Sequence, residues 1–183
     1  MPVGARVYSP SSYYPLHTNQ IGEIHHVACQ HSESSYVRPG WSGPVRIKAG
    51  VLHYGSQLPV WGPEEPEVGD WVYKTGRTTG TTLGLVVVVD LDVQGFWGIM
   101  HDQCAAIMGS GHEDSGAPVY SVDWEDMVPQ LYATVESSGI KVADLKGVLF
   151  AGISVEGTWY SIFSPIGLVL DDLDVWPLPG PFG

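Results

Sequence analysis

The sequence predicts an all-β protein of short antiparallel strands in a barrel or sandwich, with one short helix near the C-terminus. Two observations carry this. Apolar and β-branched runs of four to nine residues recur, several of them alternating with polar residues, and few segments show helical periodicity. Gly (23) and Pro (14) punctuate the 183 residues closely, as tight turns between strands require. A hydrophobic fraction of 44% is enough to bury a core at this length. No apolar run approaches the roughly 18 residues that span a bilayer.

Residues 1–67 are irregular in pattern. Turn clusters at Ser9-Pro10-Ser11-Ser12, Arg38-Pro39-Gly40 and Gly62-Pro63-Glu64-Glu65-Pro66 separate strand-like pieces at 20–28 and 45–54. The proline-rich stretch 59–66 reads as a linker, since each proline removes a ladder donor. Beyond it the strand signal strengthens, with runs at 70–75, 84–92, 95–100, 104–108, 117–122, 147–153 and 158–163. In the segment 164–173, Ile166, Val169, Leu170 and Leu173 fall at helical intervals, which predicts a short helix. Residues 123–144 read as an acidic, partly apolar insertion between two strands, and 176–183 as an extended tail.

Twenty acids against eight bases leave a formal charge of −12. Such a surface repels phosphate backbones, so no nucleic-acid partner is expected. The first residues lack a basic segment followed by an apolar one, so no signal peptide is expected and no membrane partner. The compartment stays open between cytoplasmic, viral and a mature secreted fragment. Cys29 and Cys104 allow one disulfide at most and read as two buried thiols. His25-His26 lacks companions at ligand spacing, and neither a metal nor an organic cofactor is implied. The seven Trp residues form no regular stripe and read as packing.

Chemistry concentrates in Gly111-His112-Glu113-Asp114-Ser115-Gly116-Ala117-Pro118-Val119. A Ser between Asp and Gly, followed by Pro-Val at a strand start, resembles the nucleophile loop of trypsin-like serine peptidases. Val72-Tyr73-Lys74-Thr75-Gly76-Arg77-Thr78-Thr79-Gly80 resembles the opening hairpin of the second barrel in bacterial and viral members. Gly147-Val148-Leu149-Phe150-Ala151-Gly152 and Ser164-Pro165-Ile166-Gly167-Leu168 resemble the family's strand beside the substrate and its closing segment. These matches cover about residues 68–175.

The resemblance implies a chymotrypsin-like double β-barrel, with residues 68–175 as the second barrel and 1–67 as a reduced or altered first lobe. It implies Ser115 as nucleophile and backbone N–H groups of Glu113, Asp114 and Ser115 as the oxyanion hole. Arg77 is expected to pair with a buried Asp114, and Gly152, Ile153 and Ser154 to line the edge that holds a polypeptide substrate. His112 reads as an exposed loop residue.

Three departures weigh against hydrolysis. Two registers are open for the base: His31 fills the family's histidine segment, or the chain begins after that segment and lacks the base. No Asp precedes Asp70, and Glu33 lies too near His31 for the family's spacing. Glu113 stands where the family has Gly, with its carboxylate beside the developing oxyanion. The resemblance still implies peptide-bond cleavage, self-processing included, through Ser115. The alternative is an inactive peptidase-fold module that binds a protein partner, for instance in a virion or other assembly. A further alternative draws a missing strand or base from another chain, as an oligomer would allow.

Overall fold

The computed structural model describes residues 3–8, 20–28, 31–32, 34–39, 50–95, 98–122 and 141–177. Within these, eleven strands and one helix follow in chain order. The first three, β1 (Arg6–Tyr8), β2 (Gln20–Ala28) and β3 (Ser34–Pro39), form an antiparallel sheet in the order β1-β2-β3. The hairpin of β4 (Gly50–His53) and β5 (Ser56–Pro63) comes next. The remaining strands are β6 (Trp71–Gly76), β7 (Gly80–Gln94), β8 (Ile99–Ile107), β9 (Pro118–Ser121), β10 (Ala143–Val155) and β11 (Thr158–Pro165). They pair in the order β11-β8-β7-β6-β9-β10, and β10 pairs back with β11, so the six close into a barrel.

Alternation builds the barrel interior. In β7, Gly84 and Val86 are buried while Leu83 faces outward, and Val72 of β6 and Ala106 of β8 point to the same side. Val72, Val86, Cys104, Ala106, Met108, Ala117, Val119, Leu149 and Phe163 make one core cluster. Burial pushes the Cys104 thiol up to about 12, with the Asp90 and Glu65 carboxylates adding to it, so this free cysteine is an inert part of the core. Gly147 shows how closely the closing strands approach: a Cβ there would lie 2.2 Å from the Ser164 carbonyl oxygen. Gly147→Ala must spread β10 from β11. It is expected to cost about 1–3 kcal/mol in a urea melt, the usual range for overpacking; an unchanged midpoint would contradict this closeness.

The proline-rich stretch 59–66 differs from its reading as a linker. Residues 59–63 belong to β5, which pairs antiparallel with β4 and parallel with the start of β10 (Ala143↔Val60, Asp144↔Gly62). The Glu64 N–H continues this line by donating to the Leu145 carbonyl at 2.8 Å. Beside it, buried Lys146 reaches Glu64 at 2.8 Å and Asp70 at 2.9 Å. Three lateral attachments thus replace the ladder donors the prolines lack. Tyr120 of β9 packs with Val51, Leu58 and Val60, and its hydroxyl bridges Thr75 and His53.

The end of the expected strand at 95–100 and most of that at 104–108 are continuous as β8, which begins at Ile99; residues 96–97 lie outside the described residues. The expected insertion is shorter at its C-terminal end, because Ala143 and Asp144 already belong to β10; residues 123–140 lie outside the described residues. The helix α1 (Ile166–Leu173) is where its periodicity places it. Its buried face, Ile166, Val169 and Leu173, leads to a third cluster with Ala28 and Tyr36, so the helix ties the three-stranded sheet to the barrel. No helix among the described residues is long and apolar enough to cross a membrane.

Candidate active site

Between β8 and β9 the chain makes a tight loop, residues 108–117, built around one carboxylate. Asp114 is buried, and it accepts from the Thr78 N–H at 2.7 Å, the Thr79 N–H at 3.2 Å, the Thr79 hydroxyl at 2.6 Å and the Gly111 N–H at 3.0 Å. The fully buried Lys74 ammonium completes the set at 2.9 Å, and also donates to the Gly80 carbonyl at 3.1 Å. Burial alone would favour the neutral acid. The hydrogen bonds from Thr79, Lys74 and the two amides reverse this and hold the carboxyl well below the usual carboxylate range. A Cβ at position 76 would sit 2.4 Å from the Asp114 carboxyl carbon, so the β6–β7 turn needs glycine there to close over this anion.

The expected Arg77–Asp114 pair is therefore replaced by Lys74–Asp114. Lys74 lies two residues before Gly76, on an inward position of β6, whereas Arg77 follows the turn outward. Arg77 instead meets the Glu113 carboxylate at 3.2 Å, with both side chains more than half exposed. Strand alternation carried the signal for this exchange: Lys74 shares the parity of Val72, which is an apolar inward position.

Ser115 is exposed, and its hydroxyl donates to the Phe150 carbonyl on β10 at 3.1 Å. The loop is stitched to that strand again by Gly116 N–H to Leu149 O at 2.7 Å and Leu149 N–H to Ala117 O at 2.9 Å. Of the three amides expected to form an oxyanion hole, that of Asp114 donates to the Gly111 carbonyl at 3.1 Å, a turn bond that withdraws it. The Glu113 and Ser115 amides enter no hydrogen bond among the described residues. Glu113 adopts φ 75°, the left-handed conformation that costs a residue with a Cβ about 1–2 kcal/mol. Left-handed backbone favours glycine, and Glu113 adopts it while carrying a side chain.

Beside Ser115 opens a pocket of about 550 Å³ lined by Ser110, Gly111, His112, Glu113, Leu149, Phe150, Ala151, Gly152 and Trp159. The Trp159 indole donates to the Ser110 hydroxyl at 2.9 Å and lies across Gly152, where a Cβ would meet it at 2.6 Å. Residues 152–155 of β10 pair with β11 on one side and are exposed, so Gly152, Ile153 and Ser154 stand along the strand edge running from the pocket.

His31 lies elsewhere in the bonding network. Its Nδ1 is 3.0 Å from Asp172 of α1, whose other oxygen accepts from the Ser32 N–H at 2.7 Å and the Ser32 hydroxyl at 2.9 Å. Burial pushes the Asp172 carboxyl up, and the His31 and Ser32 bonds outweigh it, so it sits below its ordinary value. His31 does have a carboxylate partner, though from the far end of the chain. No hydrogen bond among the described residues joins His31 to Ser115, and Glu33 and Cys29 lie outside those residues. Nor do the described residues hold three His, Cys, Asp or Glu side chains grouped to bind a metal ion.

No protein-family model matches this chain, and no curated protein matches it. Solved structures do. Protease A of Thermobifida fusca superimposes with a TM-score of 0.68 at 19% identity, over 97% of this chain and 80% of its own. An alpha-lytic protease homolog, N4, gives 0.69 at 17% identity over 95% and 79%. The chymotrypsin of Cellulomonas bogoriensis gives 0.65 at 18% identity over 86% and 75%.

Proposed function

We propose, from the premise that this chain has the chymotrypsin-like double-barrel fold of bacterial serine proteases, that it binds an extended polypeptide beside Ser115 and cleaves it there. The observation that supports this best is the loop itself. Five hydrogen bonds on buried Asp114 hold Ser115 at the mouth of a pocket, next to two amides left for a carbonyl oxygen. The exposed edge of residues 152–155 offers main-chain pairing to a bound peptide. In this reading Ser115 attacks the carbonyl, and the Glu113 and Ser115 amides receive the negative charge. The hydroxyl must first leave the Phe150 carbonyl and give its proton to a base.

A second reading, a binding module without turnover, is favoured by the Ser115–Phe150 bond and by the engagement of His31 with Asp172 on α1. Treatment with a fluorophosphonate and intact-mass measurement separates the two. The hydrolytic reading expects one adduct, absent from Ser115→Ala. A folded protein that takes no label, and still binds extended peptides, supports the module instead.

A further inference from the structure

The pocket beside Ser115 has two walls, the loop that carries Ser110 to Glu113 and the β10 residues Leu149 to Gly152. Trp159 of β11 touches both. Its indole N–H donates to the Ser110 hydroxyl at 2.9 Å, and the edge of its six-membered ring lies 2.6 Å from where a Cβ at position 152 would sit. The Ser110 oxygen is 2.9 Å from that same Cβ position. Ring, hydroxyl and glycine therefore meet at one point, and the pocket ends there. Strand pairing and a buried hydroxyl fix the arrangement. Trp159 stands opposite Ser154 in the β10–β11 register, and Gly152 opposite Ser161. The buried Ser161 hydroxyl lies 2.8 Å from that of Ser110 and 2.7 Å from the Met108 carbonyl, so it backs the serine that pins the indole.

We propose that Trp159, pinned by Ser110 and spanning both walls, is a specificity-determining plug that limits the pocket to a short, uncharged side chain of a bound polypeptide. This rests on the reading that an extended peptide pairs along residues 152–155. Length is set by the indole, because a side chain entering beside Ser115 stops where the ring bridges the walls. Charge is set by what surrounds that end. Trp159, Ser110 and Gly152 carry none, while the Glu113 carboxylate lies at the exposed rim, 3.2 Å from Arg77. A charged side chain would leave water and meet no countercharge, which is costly. Phenylalanine is refused for its length, and lysine or glutamate for length and charge together. Alanine needs neither depth nor partner.

The test titrates 15N-labelled protein with acetylated tetrapeptide amides that differ only in the last residue: alanine, phenylalanine, lysine or glutamate. The Gly152 and Ser115 amide resonances report binding, and mass measurement on the same samples reports cleavage. Wild type is expected to bind the alanine peptide about tenfold more tightly than the phenylalanine peptide, a discrimination that pocket fit can supply. Trp159→Ala should lengthen the pocket and reverse that order, with the lysine and glutamate peptides weak in both proteins. Trp159→Val, which keeps a β-branched residue in the strand, gives the same reading should the alanine variant fail to fold. An unchanged alanine-to-phenylalanine ratio in a folded Trp159 variant would overturn the plug. So would equal binding of the two peptides by wild type, or no shift at Gly152 with any of them. Binding in the expected order without cleavage removes the hydrolytic reading alone and supports the plug.

Discussion

Lys74→Ala is expected to destabilise the protein by about 3–5 kcal/mol, because it leaves a carboxylate buried without its countercharge. Both side chains are fully buried, so water cannot replace the lost ammonium without opening the loop. A urea melt would show this as a large fall in midpoint, and labelling of Ser115 should fall with it, since the same contact holds the nucleophile loop. The double variant Lys74→Ala/Asp114→Ala should lose less than the two single losses added together, as expected for directly coupled partners. The acid response has a definite sign. Asp114 is held below its unfolded value of about 3.9, so its contribution is fully present above that pH and is lost as pH falls through the folded value. Wild type should therefore weaken steeply below about pH 4, and Lys74→Ala less steeply. A Lys74→Ala loss below about 1 kcal/mol would mean that the pair is solvated.

Asp172→Ala should act at the other end of the molecule and cost about 2–3 kcal/mol. It strips two hydrogen bonds from buried Ser32 and one from His31, leaving the Ser32 amide unsatisfied while its hydroxyl keeps the Ser34 hydroxyl at 2.7 Å. The loss is expected to be regional. Amide hydrogen exchange should quicken through β2 and β3 while the barrel amides of β6 to β9 keep their protection. Asp172→Asn keeps one acceptor oxygen and should cost less. Asp172, like Asp114, lies below its ordinary value, so this attachment also weakens as pH falls below about 4. Uniform acceleration over both sheets would show that α1 is no local clasp.

Much of the barrel was legible because its strands announce themselves by alternation. β2 falls on the residues expected for it, and α1 begins two residues into the segment proposed for it and ends where that segment ends. Buried Asp114 and the tight loop around it were legible from the motif that carries them. β3, Ser-Ser-Tyr-Val-Arg-Pro, was not: its polar residues give little periodicity, and its pairing with β2 is what makes it a strand. β5 was hidden by prolines, whose cost shows locally while the compensating bonds come from residues far along the chain. The same limit governed the ion pairs. Lys74 meets Asp114 across forty positions and His31 meets Asp172 across 141, and local reading gives such partners no advantage over nearer ones. Arg77 seemed the natural counterion because arginine suits a carboxylate. Strand parity decided otherwise.

The clasp between His31, Ser32 and Asp172 also bears on the order in which the protein acquires its shape. A ribosome delivers the β2–β3 turn long before it delivers α1, and the sheet's apolar face, with Ala28 and Tyr36, has to wait for Val169 and Leu173. During synthesis that sheet is a provisional structure with an uncovered side, open to wrong associations until the last helix arrives. Closing so long a loop is entropically slow. Refolding should accordingly show the barrel protected first and β2–β3 last.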